Sequence, residues 1–73
     1  MLKVDGHDDA ILGVGKSFNR AEVLVYSVDK ICQTLVERDG MSYDEAMEFY
    51  DFNIIGSYNG DGMPIFLRPY ETY

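Results

Sequence analysis

Seventy-three residues, 47% of them apolar and including six tyrosines and four phenylalanines, suffice for one hydrophobic core and are too few for two domains. Six basic against thirteen acidic side chains leave a net charge of −7, which repels nucleic-acid phosphates and anionic membrane surfaces and excludes both as expected partners. Cys32 is the single cysteine and closes no intrachain disulfide, and no run approaches the roughly 20 apolar residues of a membrane span.

The opening stretch, MLKVDGHDDA, carries acids where a secretory leader needs a basic start and an apolar middle. A cytoplasmic protein is expected. Asp5-Gly6 reads as a turn. Residues 9–15, DAILGVG, alternate as a first strand with Ala10, Leu12 and Val14 on one side and Ile11, Gly13 and Gly15 on the other. The polar KSFNR has the length of a hairpin connection, and AEVLVY is a second strand with Ala21, Val23 and Val25 on one face and Glu22, Leu24 and Tyr26 on the other.

Ser27 can cap a helix whose apolar positions Val28, Ile31, Cys32, Leu35 and Val36 follow the i, i+3, i+4, i+7, i+8 pattern and which ends at Gly40. Ser42 with Glu45 three residues on is a capping box. It opens a second helix that is expected to bury Tyr43, Ala46, Met47, Tyr50 and Ile54 and to stop at Gly56. NGDG then turns the chain into a third strand, MPIFLR, and residues 68–73 are expected to fray. The expected architecture is a single α+β domain spanning 1–73: a small three-stranded antiparallel sheet with two helices on one face, in the order ββααβ. Its inward set would be Leu12, Val14, Val23, Val25, Met63, Ile65 and Leu67. The reverse face would hold Ile11, Leu24, Tyr26 and Phe66, an apolar patch expected to be covered in a homo-oligomer.

Several constellations bear on chemistry. AILGVGKS ends in Gly15-Lys16-Ser17 like a phosphate loop, but the lysine leads into a strand where such a loop needs a helix; at most Gly13, Gly15 and Lys16 form a local anion nest. Asp5, His7, Asp8 and Asp9 have a composition suited to a divalent cation at a spacing that fits a solvated loop as well. SYNGDG, residues 57–62, is similar to the start of a calcium loop, yet Ser57 stands at the first ligand position and Arg68 at the twelfth, where acids belong. No metal and no cofactor are expected. His7 is the only histidine and Cys32 points into the core, so no nucleophile has a base beside it and no enzyme is expected.

The second helix is the most informative element. Asp44, Glu48 and Asp51 fall at i, i+4, i+7 with Glu45 nearby and no lysine or arginine to balance them. Asp44 and Glu45 favour the helix dipole; Glu48 and Asp51 gain nothing from it. This stripe reads either as a solvated face or as a docking surface for a basic partner, and Phe49 and Phe52 lie beside it.

Asp5-Gly6, Asp8-Asp9-Ala10-Ile11, Tyr26, Asp29-Lys30, Gly40-Met41-Ser42-Tyr43-Asp44-Glu45-Ala46, Phe52-Asn53-Ile54, Gly56, Tyr58, Gly60 and Pro64 together resemble a group of small bacteriophage-encoded proteins without an established activity. The resemblance covers nearly the whole chain. It implies a viral origin, the host cytoplasm as the compartment, and inhibition or sequestration of a host protein, defence machinery included. The helix opening MSYDEAMEF in a ββααβ order is also similar to the second half of proteasome-type hydrolase subunits, whose N-terminal nucleophile has no counterpart in Met1-Leu2.

The leading expectation is therefore a non-enzymatic accessory protein that binds a host protein, one with a basic surface, through Asp44, Glu45, Glu48, Phe49, Asp51 and Phe52. The alternative is a homo-oligomer that sequesters a nucleotide-like molecule at a subunit interface formed by Asp5, His7, Lys16, Tyr26, Asn53 and Tyr58. A structural virion or scaffold component is a third.

Overall fold

The computed structural model describes residues 1–57 and 62–70. Strands β1 (Ile11–Gly15) and β2 (Val23–Ser27) form an antiparallel pair, and helices α1 (Val28–Asp39) and α2 (Tyr43–Phe49) follow before strand β3 (Ile65–Leu67). The order in the sheet is β1-β2-β3. The described residues form a small α+β fold with a three-stranded sheet and two α-helices.

The helix boundaries obey the local chemistry of the sequence. The Ser27 hydroxyl accepts from the Lys30 amide at 3.1 Å, and Gly40, at φ +70°, ends α1 in the left-handed conformation that a side chain disfavours. At α2 the capping box is complete: the Glu45 amide donates to Ser42 Oγ at 3.2 Å and the Ser42 amide to Glu45 Oε1 at 3.0 Å. The expected regular helix to Gly56 does not persist, however. After Phe49 the backbone widens into a π-helical turn, Tyr50–Ile54, with the Ile55 amide reaching back to the Tyr50 carbonyl, and then tightens into a 3-10 turn, Ile55–Ser57. Tyr43, expected in the core, is exposed at the first helical position.

The sheet departs from expectation twice. First, β3 runs parallel to β2, pairing Val25 with Ile65, Tyr26 with Phe66 and Ser27 with Leu67, so the sheet is mixed and not wholly antiparallel. The whole α1–α2 segment is the crossover that a parallel pair requires. Second, the faces are exchanged. Tyr26 is 0% exposed, and Ile11, Leu24 and Phe66 pack against the buried cluster of Val4, Ala10, Val28, Ile31, Cys32, Leu35, Ala46, Tyr50 and Ile54. The face assigned to self-association is thus the core itself. Ile65 and Leu67, expected inside, are each 46% exposed on the other side, while Val23, Val25 and Met63 are half-buried.

Two features explain the exchange. α1 begins at Val28 without a loop, so the buried side of its first turn (Val28 1% exposed) selects which alternate residues of β2 turn inward, and Tyr26 and Leu24 follow. In β1 the pairing shifts between Ile11 and Gly13, so Leu12 is an extra residue and parity changes across it. Val14 therefore lies opposite Leu24 and not with Val23 and Val25, and on an edge strand it remains exposed. Gly15 is close to the neighbouring strands: a Cβ there would sit 2.9 Å from Val25 Cγ2. Its role is strand packing, not a phosphate nest.

The buried Tyr26 hydroxyl needs a partner and accepts from the Val4 amide at 2.8 Å, which ties the N-terminal segment to the centre of the sheet. Its ring stacks on Phe66 at 6.0 Å, and Phe66 meets Tyr50 edge-on at 5.7 Å. Between the helices, Cys32 Sγ donates to Met47 Sδ at 3.3 Å. Burial, reinforced by Asp29, pushes the Cys32 thiol above its ordinary pKa, and the side chain packs in the core between the helices. Removing only the Tyr26 hydroxyl should leave the Val4 amide buried and unpaired. Y26F is expected to lower unfolding stability by about 1–3 kcal/mol in urea titrations while preserving the fold.

Candidate functional site

Two adjoining concavities share Phe49 and Asn53, which stand at the junction of α2 and the π-helical turn. One is an open groove of about 470 Å³ lined by Met41, Glu45, Glu48, Phe49, Phe52 and Asn53. The other is a cleft of about 280 Å³ between the N-terminal segment, the end of α1 and the π-helical turn.

The groove follows from the partition of α2. Ala46 and Tyr50 face the core, which directs Glu45 and Glu48 outward, and the wide turn leaves Asp51, Phe52 and Asn53 exposed between buried Tyr50 and Ile54. Phe52 is 75% exposed. Four of the six residues expected to bind a partner, Glu45, Glu48, Phe49 and Phe52, come together here. Asp44 and Asp51 are exposed but do not line the groove; burial raises the pKa of the Tyr50 hydroxyl, and the Asp51 charge adds to that effect. The Glu45 carboxyl is held below its usual range by the Ser42 amide and hydroxyl, so it stays ionised and fixed in the capping box.

The cleft is built from the turn at Asp5-Gly6. The His7 amide donates to the Val4 carbonyl at 3.3 Å, and Gly6 sits at φ +81°, a conformation glycine adopts without strain. Arg38, in the last turn of α1, reaches over the turn. Its Nη1 donates to the Gly6 carbonyl at 2.9 Å, and its Nε and Nη2 donate to Asp39 at 3.0 and 3.2 Å. A Cβ on Gly6 would meet Arg38 Nη1 at 3.2 Å. The opposite wall is Phe49, Asn53, Ile54 and Ser57, with the Ser57 hydroxyl donating to the Asn53 carbonyl at 2.6 Å.

His7 lines this cleft at 5% exposure, and its Nδ1 is buried without a hydrogen-bond partner. Burial and the Arg38 charge hold the imidazole below its ordinary pKa of 6.5, against a weaker opposing pull from Asp39. The ring is therefore neutral at pH 7.

Of the residues expected to form a ligand pocket, Asp5, His7 and Asn53 meet in the cleft. Lys16 is exposed beyond the end of β1, Tyr26 is sealed in the core, and Tyr58 lies outside the described residues. Arg38 and Asp39 were not anticipated; the only signal for them is a basic residue in the last turn of a helix, which helix-dipole complementarity explains equally well. Asp8 pairs with Lys3 at 3.4 Å, and among the described residues no three His, Cys, Asp or Glu side chains converge as metal ligands. The SYNGDG segment, read as a turn despite its likeness to a calcium loop, falls mostly outside the described residues. Arg68 and Pro69 line a separate cleft of about 610 Å³ with Asp29, Gln33, Val36, Glu37 and Tyr43. Among the described residues no helix is long and apolar enough to cross a membrane.

A histidine whose folded pKa is depressed binds its proton more readily in the unfolded chain. Its stability contribution is full above the ordinary pKa of 6.5 and declines as the pH falls below it. The wild-type chain should thus lose melting temperature between about pH 7 and 5, and H7F should flatten that part of the profile.

Comparison with protein-family models, with curated proteins and with solved structures returns no match, so the groove and the cleft are known by their geometry alone.

Proposed function

We propose that this chain is a non-catalytic protein-binding module that captures a basic, apolar segment of its partner in the groove of α2. The observation that carries this reading is Phe52, an aromatic ring 75% exposed in a groove that also presents Glu45 and Glu48 and, among the described residues, is lined by no basic side chain. An exposed aromatic beside uncompensated carboxylates suits a partner residue with an apolar stem and a cationic head: the stem covers the ring and the head meets the acids. The net charge of −7 adds long-range attraction toward such a surface. Phe49 and the wide turn at Tyr50–Ile54 contribute a rigid floor, because Tyr50 and Ile54 are anchored in the core.

The resemblance to small phage-encoded proteins suggests a host protein, defence machinery included, as the partner and its inhibition or sequestration in the host cytoplasm as the outcome of capture. Self-association belongs to the same proposal only through surfaces other than Ile11, Leu24, Tyr26 and Phe66, which fold into the core.

Glu48 and Phe52 are exposed and lie outside the buried cluster, whereas Glu45 also closes the capping box. The informative variants are therefore E48K and F52A. A synthetic peptide alternating arginine and leucine, titrated by calorimetry, is expected to bind the wild-type chain more weakly as salt rises, and roughly tenfold more weakly to either variant, about 1.4 kcal/mol. Equal binding by wild-type and both variants would sink the proposal.

A further inference from the structure

We propose that the groove of α2 captures the β1–β2 hairpin loop of a second copy of this chain, residues 16–20, with Phe18 entering beside Phe52 and the two bases of the loop meeting the acids of the groove. This rests on the reading that the groove takes basic, apolar segments, and the loop is such a segment.

Loop and groove are converse in chemistry. Lys16-Ser17-Phe18-Asn19-Arg20 carries two bases, one aromatic ring and no acid. Phe18 is 90% exposed, and Lys16 and Arg20 are exposed and form no ion pair among the described residues. The groove presents Glu45 and Glu48 with Phe49 and Phe52. Two exposed aromatic surfaces, each flanked by charge of the sign opposite to the other's, shed water together on contact and pair their charges. Within one chain Phe18 and Phe52 both face solvent, so the loop does not fill its own groove. A second copy supplies the occupant.

Other basic positions fit less well. Lys3 pairs with Asp8 and Arg38 with Asp39. Lys30 lies within α1, and Arg68 lines a cleft that already holds Asp29 and Glu37. Among the described residues, only the hairpin loop sets two bases around an exposed ring.

The loop is also preformed. The Arg20 amide donates to the Ser17 carbonyl at 3.1 Å, closing a turn with Phe18 at its tip and Asn19 at φ +61°, a left-handed conformation that asparagine tolerates. A turn already closed loses little conformational freedom on docking. Overall repulsion between chains of net charge −7 is screened within about 8 Å at physiological ionic strength, whereas loop and groove act at contact. One loop tip buries little surface, so association is expected to be weak and reversible. Because loop and groove are different surfaces, the contact is head-to-tail.

Sedimentation velocity of the full chain from about 10 μM to about 1 mM reads the contact, and the average mass of wild type should rise with concentration. F18S and F52A, at exposed positions and without a change of charge, should each weaken association about tenfold. E48K brings the net charge of −7 closer to zero and so relieves general repulsion, yet it is expected to weaken association. Mixing F18S with F52A should restore a dimer, because the F52A chain keeps its loop and the F18S chain keeps its groove. A wild-type chain that is monomeric at about 1 mM would overturn the proposal. So would equal association by wild type, F18S and F52A, or a mixture no more associated than its components. Binding of the arginine–leucine peptide by a chain that stays monomeric overturns the second copy as occupant and leaves the groove reading standing; failure of both removes the two together.

Discussion

The burial of Tyr26 is the constraint on which the rest of the structure depends. Its ring is fully enclosed, and its position in the central strand places it beside Ile11 on one side and Phe66 on the other. A tyrosine can be buried this deeply only if its hydroxyl is satisfied, and the Val4 amide supplies that contact. One side chain therefore joins all three strands to the N-terminal segment. Phe66 extends the chain of contacts to Tyr50, so the same aromatic cluster anchors the π-helical turn from below.

That anchoring links packing to the surface where function is proposed. Tyr50 and Ile54 are held in the core while Phe52 and Asn53 between them are exposed, a division that gives the turn one buried and one presented side. The N-terminal segment, held by Tyr26 and by Arg38 on the Gly6 carbonyl, closes the cleft from the opposite direction. Groove and cleft meet at Phe49 and Asn53, which form part of the wall of each. The Arg38–Asp39 pair is exposed and screened by solvent; its importance is positional, since it orients a guanidinium over the turn that carries His7.

The helix caps were legible because each is a contact between residues three apart. Ser27 with Lys30 and Ser42 with Glu45 need no knowledge of the rest of the chain, and the left-handed Gly40 is likewise local. The apolar stripe of α1 was legible for the same reason: Val28, Ile31, Cys32 and Leu35 are buried as their spacing demands. The wide turn after Phe49 was not, because the apolar positions Tyr50 and Ile54 read the same in an α-helix. Of the cleft, Asp5, His7 and Asn53 belong to the ligand set expected from the sequence, though that set was expected between subunits, whereas Arg38 and Asp39 carry no sequence signal beyond their place at the end of a helix.

Alternation in the strands established two faces for each strand but not which one points inward. Both faces of this sheet are apolar, so hydrophobicity could not choose between Val23, Val25, Ile65 and Leu67 on one side and Ile11, Leu24, Tyr26 and Phe66 on the other. The choice was made by contacts distant in sequence: the direct passage from β2 into α1, the extra residue at Leu12, and the hydroxyl of Tyr26 finding an amide 22 residues away. By itself the sequence determined the strands, the start of each helix, the caps and the acidic character of α2, all of which arise from neighbours within a turn or two. Only the tertiary structure decided the buried face, the parallel third strand and the meeting of His7 with Asn53, because each depends on where separate elements come to rest against one another.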